Sequence, residues 1–293
     1  MSICAVIVSY YPTAEILENV AALIEQVDEV VIVDNGSGAA TKELLVSLTD
    51  YPNMTIIYNQ DNFGIAAALN IGVRHAKAAG HQWLATFDQD SKVTPGMIMM
   101  MLQVYDTYPA KEKVASLSPR YQNQSTGQIA SSNPKHLDKL PYTEVLAVIT
   151  SGNLLKLSVF DAVGLFNEAL FIDQVDTEFC LRCASQGYKI LEVKDAILLH
   201  CIGFPVQIKV LWKIKSITNH SSLRRYYIAR NSIYIYKKFA LTQPAWVAHN
   251  AYVLLKVMIM VLFEKNRREK LAAFFRGIIH GLYGRMGKYS EKG

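Results

Sequence analysis

Two carboxylates one residue apart, Asp88 and Asp90 in Thr86-Phe87-Asp88-Gln89-Asp90-Ser91, are the residues best placed to do chemistry in this 293-residue chain. Alternate side chains of an extended backbone share a face, so both can reach one small volume. Two hard anionic oxygens at the mouth of a sheet suit a divalent cation, Mg2+ or Mn2+, that also holds a diphosphate. A solvated Asp-rich turn has the same sequence, so the neighbouring elements must decide between the two.

Those elements alternate. Apolar runs at 2–9, 30–33, 54–58 and 82–87 read as buried strands, and helical patterns at 12–27, 41–48 and 65–79 separate them. In the first helix Ile16, Val20, Leu23, Ile24 and Val27 recur at helical spacing. Strand and helix in alternation predict an α/β fold with a largely parallel sheet. In such sheets ligands bind beyond the carboxyl ends of the strands. Asp34, in Asp-Asn-Gly-Ser, Asn62 and Gly64 before the third helix, and the Asp88/Asp90 pair all stand at or just past those ends. Further on, the expected order is a Met-rich helix to about residue 105, a strand at 114–117, and a polar loop over the site at 122–139. An apolar run at 142–150 then ends at Ser151-Gly152-Asn153. A short helix at 155–163, an amphipathic helix reaching 185, and strands at 188–193 and 196–199 complete the domain, with His200 at its last strand's end.

The charge is uneven. Residues 1–204 carry a net −9 and residues 205–293 a net +14, which together give +5. The chain divides accordingly into a catalytic domain at 1–204 and a helical, basic and apolar C-terminal region at 205–293. The apolar run 246–263 contains His249, Asn250 and Lys256, so its uninterrupted stretches are too short to span a bilayer. With the basic segment 264–276 it suits contact with an anionic membrane surface from one side. A buried helix in a homodimer is the competing expectation. Cys180 and Cys183 form a lone C-x-x-C without a zinc pattern, and with Cys4 and Cys201 they read as packing thiols. Met1 leads straight into a strand with no basic leader, so reducing cytoplasm is expected. No nucleic-acid partner is expected.

Several stretches, in order, resemble glycosyltransferase family 2: Val-Ile-Val-Ser-Tyr-Tyr, Val-Asp-Asn-Gly-Ser, Asn-Phe-Gly-Ile-Ala-Ala-Ala-Leu-Asn and Asp-Gln-Asp-Ser. The later Ser-Gly-Asn, Val-Asp-Thr-Glu-Phe-Cys-Leu-Arg and Arg-Arg-Tyr-Tyr-Ile-Ala-Arg-Asn resemble its rhamnosyltransferase branch. The resemblance covers about residues 3–231. It implies a GT-A fold, a nucleotide-sugar donor, of which dTDP-L-rhamnose is the expected one, and a lipid-linked saccharide acceptor at the inner face of the cytoplasmic membrane. A UDP-sugar-dependent galactofuranosyl- or hexosyltransferase is the rival within the family. A non-catalytic membrane-docked scaffold is the rival outside it, and intact Asp88, Asp90 and Asp176 argue against it.

The resemblance also implies roles. Ser9 and Asp34 would meet the donor, the Asp34 carboxylate accepting the imide N–H of a pyrimidine; Asp-Asn-Gly is equally turn chemistry. Asn62 and Gly64 would meet the nucleotide at a helix N-terminus, or simply cap that helix. Asp88 and Asp90 would hold the cation, Asp90 in direct contact and Asp88 also meeting the donor ribose, with His200 as a further ligand or a structural histidine. Asp176 would be the general base of an inverting displacement, although Val175 stands where the family usually has Glu. Asp173 is its competitor, and helix capping is the alternative for both. Arg224, Arg225 and Arg230 would bind diphosphate through guanidinium forks, or form a solvated basic face. Ser151, Gly152 and Asn153 would lie at the acceptor.

Overall fold

The computed structural model describes residues 1–123, 127–130, 140–200, 205–210 and 213–290, the segment 205–218 by its backbone only. Two compact units divide the chain: Met1–Glu168 with Val175–Cys201, and Ala169–Gln174 with Ile202–Gly293.

The first unit opens as β1 (Ile3–Ser9), α1 (Glu15–Ile24), β2 (Glu29–Asp34), α2 (Ala39–Val46), β3 (Met54–Tyr58), α3 (Ile65–Ala78) and β4 (Trp83–Asp88). In β1, Cys4, Ala5 and Val6 are fully buried, because helices cover both faces of a parallel sheet. In α1 the buried residues Ile16, Val20 and Leu23 form one stripe toward the sheet. Then follow β5 (Ser91–Val93), α4 (Met97–Thr107), β6 (Val114–Asn123), β7 (Ile129–Ala130), β8 (Tyr142–Val145), β9 (Asn153–Lys156), α5 (Val159–Val163), α6 (Val175–Ser185) and β10 (Lys189–His200).

These strands form one sheet of order β3-β2-β1-β4-β9-β6-β10-β5, with β7 added on β6 and β8 on β10. The four leading strands are parallel, as expected. The second half is mixed: β9 runs antiparallel between β4 and β6, and β5 antiparallel at the edge of β10. Residues 155–156, expected to open a short helix, therefore belong to strand β9, and the helix is confined to α5. The two expected strands at 188–199 are one, β10, whose pairing with β6 shifts register between Val193 and Ile197. Most of the polar loop 122–139 lies outside the described residues.

The second unit begins with an antiparallel hairpin, β11 (Pro205–Val210) and β12 (Lys213–Thr218), where helix was expected. Three helices follow: α7 (Ser222–Phe239), α8 (Pro244–Val261) and α9 (Arg267–Tyr283). Ser221 caps α7, its hydroxyl accepting the Arg224 amide. Gly277 and Gly281 let α9 lie directly on α7: a Cβ at these positions would stand 2.4 Å from the Tyr226 carbonyl and 2.6 Å from the Arg230 carbonyl. The 246–263 run, expected to be too short in its uninterrupted stretches to span a bilayer, lies mostly in α8, which is continuous through His249, Asn250 and Lys256. By length and composition it could cross a membrane, and little of it is buried.

Candidate active site

Register aligns the carboxyl ends of three parallel strands. Ser9 pairs with Asp34 across β1 and β2, and Val8 with Asp88 across β1 and β4. Chemistry-bearing side chains therefore end at one edge of the sheet.

Asp34 is 1% exposed. Its Oδ1 accepts from the Ser9 hydroxyl (3.1 Å) and the Ser37 hydroxyl (2.5 Å), and its Oδ2 accepts the Ser37 amide (3.0 Å). The Asx-type turn expected from Asp-Asn-Gly-Ser is thus present. A carboxylate has about four acceptor positions, so Oδ2 keeps capacity for a ligand donor. Ser9 is fully buried, and its hydroxyl orients the Asp34 carboxylate. Asn35 ties this turn to the next: its Nδ2 donates to Asn62 Oδ1 (3.0 Å), and its Oδ1 accepts from Asn59 Nδ2 (3.1 Å) and the Phe63 amide (3.2 Å). Asn62 Oδ1 also accepts the Gly64 amide (2.9 Å), so both residues shape the approach to α3.

One ligand atom from each of Asp88, Asp90 and His200 lies within 4.8 Å of the others. Asp90 is 48% exposed at its side chain and His200 13%. Two hard oxygens and an imidazole nitrogen, half open to solvent, fit a divalent cation that keeps positions for a phosphate. His200 Nδ1 is hydrogen-bonded to the Ser91 hydroxyl (2.8 Å) and lies 3.9 Å from Asp90 Oδ1, so Ser91 orients the ring beside the carboxylates. Gln89, between the two carboxylates, accepts the Tyr10 amide at Oε1 (2.7 Å), and its carbonyl accepts from Asn19 Nδ2 (2.9 Å). The loop after β4 is thereby tied to the end of β1.

The turn Thr150-Ser151-Gly152 joins this centre to the expected base. Ser151 is fully buried; its hydroxyl accepts the Asp88 amide (3.1 Å) and donates to Ser91 (2.7 Å). The neighbouring Thr150 amide donates to Asp176 Oδ2 (3.1 Å). Thr86 holds the turn from β4: its hydroxyl donates to the Thr150 carbonyl (2.6 Å) and its carbonyl accepts the Gly152 amide (2.7 Å). Gly152 has φ +81°, and a Cβ there would meet the Pro119 ring at 2.7 Å, so only glycine fits. Asn153 is also buried. These three residues brace the site from within.

Asp176 sits in the first turn of α6, its Oδ1 accepting the Thr177 amide (2.7 Å). Desolvation holds its carboxyl above the usual Asp range, against the opposing hydrogen bonds of Thr177 and Thr150. A carboxylate raised by burial is a stronger base than an ordinary aspartate, which suits a general base. Glu178 and Arg182, four residues apart on α6, form an ion pair, with Nε 2.9 Å from each carboxylate oxygen. The Arg182 fork further binds the carbonyls of Val163 and Leu165. Glu178 is therefore a buried anchor of α6.

Asp173 belongs to the second unit, where its Oδ1 accepts from Arg224 Nε (3.2 Å). Arg225 and Arg230 are 3% and 1% exposed, with their guanidinium groups engaged inside the second unit. Arg225 pairs with Glu264, which also binds Lys270 (2.9 Å). Arg230 donates to the carbonyls of Gly287 (2.6 Å) and Leu170 (2.9 Å) and lies 4.8 Å over the Tyr227 ring. Beside it, Asn231 Nδ2 reaches the carbonyls of Leu170, Ile172 and Asp173 at 2.8–3.0 Å. The Arg-Tyr-Tyr-Ile-Ala-Arg-Asn motif thus clamps the segment Ala169–Gln174. Three of its non-glycine residues, Phe171, Asp173 and Gln174, have left-handed backbone. Among the expected arginines, Arg224 alone is exposed.

Comparison with known proteins adds to this geometry. The family model described as glycosyl transferase family 2 matches residues 4–162. The chain is 30% identical over 296 residues to the dTDP-rhamnosyl transferase RfbF of Shigella flexneri, across 98% of this chain and 97% of that protein. It is 21% identical to the low-salt glycan biosynthesis hexosyltransferase Agl10 of Haloferax volcanii, across 97% of this chain and 92% of that one. Among solved structures it superposes on GalNAc-T7 with UDP, GalNAc and Mn2+ at a TM-score of 0.64 and 16% identity, covering 84% of this chain and 49% of the other. On TarS of S. aureus the TM-score is 0.60 at 14% identity, covering 90% and 44%. The chain spans about half the length of those two solved chains, and at such identities the likeness concerns the fold alone.

Proposed function

This chain belongs to glycosyl transferase family 2 and has the GT-A fold, and we propose that it transfers L-rhamnose from dTDP-L-rhamnose, with inversion, to a lipid-linked glycan at the cytoplasmic face of the membrane, in assembly of a bacterial cell-surface polysaccharide. The observation that carries the chemistry is the grouping of Asp88, Asp90 and His200 at the sheet edge beside Asp34, braced through Thr150 and Ser151 to Asp176. The rhamnose assignment is supported by likeness, over nearly the whole chain, to a dTDP-rhamnosyl transferase.

Each residue has a defined task in this reading. Asp34, held rigid by three donors, accepts the imide N–H of the pyrimidine. Asp88, Asp90 and His200 hold Mg2+ or Mn2+, which would stabilise the charge gathering on the departing nucleoside diphosphate. Asp176 takes the proton of the acceptor hydroxyl as that oxygen bonds to the anomeric carbon and the diphosphate oxygen leaves from the opposite face. One displacement inverts the centre. Ser151 and Thr150 keep base and cation ligands in fixed relation.

A UDP-sugar-dependent hexosyltransferase is the second reading. It is favoured by the likeness to Agl10 and by the fact that uracil offers Asp34 the same imide donor. A thermal-shift screen with Mn2+ and dTDP, UDP, GDP, CDP or ATP separates them, because binding to the folded state raises the midpoint by mass action. The proposal expects the largest metal-dependent shift with dTDP. A UDP preference overturns the rhamnose assignment, and no shift with any diphosphate overturns donor binding.

A further inference from the structure

We infer that α8 and the turn into α9 lie flat in the headgroup layer of an anionic membrane as a one-sided anchor, and do not cross it. This deepens the membrane part of the reading above but rests on the second unit alone. Tyr252, Leu255, Ile259 and Leu262 recur three or four residues apart as one exposed apolar stripe, extended by exposed Phe263. Monomeric soluble surfaces seldom keep such a continuous apolar strip in water. Cations flank it: Lys256, Lys265, Arg267 and Arg268 are all exposed. Residues 240–263 contain no acidic side chain. The first that follows, Glu264, is buried between Arg225 and Lys270 and neutralises nothing outside. Glu269, also exposed, follows Arg268, so the four cations outnumber one exposed acid; an apolar stripe with such a mainly cationic border matches a surface of acyl chains beneath anionic headgroups.

The packing of the three helices sets the orientation. Near their starts the Ser222 hydroxyl donates to Glu269 (2.5 Å), and near their ends Lys237 Nζ donates to the Leu282 carbonyl (2.8 Å). So α7 and α9 run side by side in the same direction, and α8 returns along them from the end of one to the start of the other, touching both. Eighteen residues make about 27 Å of helix, close to the roughly 30 Å hydrocarbon core. A crossing α8 would therefore carry the α7–α9 pair, with Lys237, Lys238, Arg276 and the buried Arg225–Glu264–Lys270 cluster, into hydrocarbon, where each charge is strongly disfavoured. A second copy seated on the same face would set two mainly cationic borders against each other, with Glu269 the exposed acid on each, already engaged by Ser222.

Flotation of the full chain with phosphatidylcholine vesicles, with and without phosphatidylglycerol, tests this. The inference expects binding only to the anionic vesicles, reversal by high salt, and release by alkaline carbonate. The double variant Arg267→Glu/Arg268→Glu should lower the partition coefficient at least tenfold, and Leu255→Ser/Ile259→Ser should do likewise. Circular dichroism and an unchanged nucleotide thermal shift keep both variants interpretable and separate this inference from the donor assignment. Carbonate-resistant association would overturn the flat orientation. Vesicle-independent dimers that Leu255→Ser/Ile259→Ser dissociates would assign the face to a second copy instead.

Discussion

Replacing Ser151 by Ala probes the link between the cation ligands and the fold. Ser151 is fully buried, and its hydroxyl accepts the Asp88 amide at 3.1 Å and donates to Ser91 at 2.7 Å. The substitution removes the acceptor of one amide and the donor to one hydroxyl. At about 1 kcal/mol for each such bond the loss is about 2 kcal/mol. For a chain of this size that corresponds to a fall in Tm of about 4–8 °C. The Ser91 hydroxyl, which orients His200 Nδ1 at 2.8 Å, is freed to rotate. Loss of such outer support weakens metal binding about 10–100-fold. The assay is a Mn2+ titration of the dTDP-dependent thermal shift in wild type and Ser151→Ala, each referred to its own metal-free midpoint. Ser151→Ala should need at least tenfold more Mn2+ for half the shift. An unchanged requirement together with an unchanged Tm would refute the bracing role. A lower Tm with an unchanged requirement would leave Ser151 a folding residue only.

Asp176→Asn is expected to keep the dTDP shift and lose transfer, and the acid limb of wild-type kcat should lie above the ordinary Asp value of about 4, since a base acts only when ionised; measurement of kcat against pH checks this. Glu29 at the opposite end of the sheet feels burial that alone would raise its pKa, but hydrogen bonds from His75, His81 and Thr55 outweigh it and hold the carboxyl below the usual Glu range. Its contribution to stability is therefore present above its unfolded pKa of about 4.3 and is lost as pH falls through the lower folded value. Tm of Glu29→Gln should change less than that of wild type across that window. Asn231→Ala removes the donor shared by the Leu170, Ile172 and Asp173 carbonyls. It should cost about 2–3 kcal/mol, read as a drop in Tm with faster hydrogen exchange confined first to Ala169–Gln174.

The leading half of the fold was legible because its signals were redundant. Four apolar runs, three intervening helical patterns and a polar residue at each strand end agree on one topology, and Asp34, Asp88 and Asp90 follow from it. The second half offered weaker signals. Leu154 and Leu155 form an apolar run too short to tell strand from helix, so β9 passed for helix. The register shift at Val193–Ile197 passed for a chain break between two strands. Sequence also does not distinguish a guanidinium that faces a ligand from one that collects carbonyls: Arg225 and Arg230 occur in a basic motif, yet both are buried. Serine gives the same ambiguity: the hydroxyls of Ser9, Ser91 and Ser151 bond to Asp34, His200 and the Asp88 amide, partners that only the fold brings together. Gln89 had a signal in its place between two carboxylates, but its contact with Tyr10 depends on a fold that brings residues 10 and 89 together.

The most direct test of the account is equilibrium binding of dTDP to wild type and Asp90→Ala, each with Mn2+ and with EDTA. The account predicts that Mn2+ tightens binding to wild type at least tenfold and that Asp90→Ala removes this gain while keeping the weaker, metal-free affinity. Equal affinity with Mn2+ and with EDTA in the wild type would contradict a cation held by Asp88, Asp90 and His200.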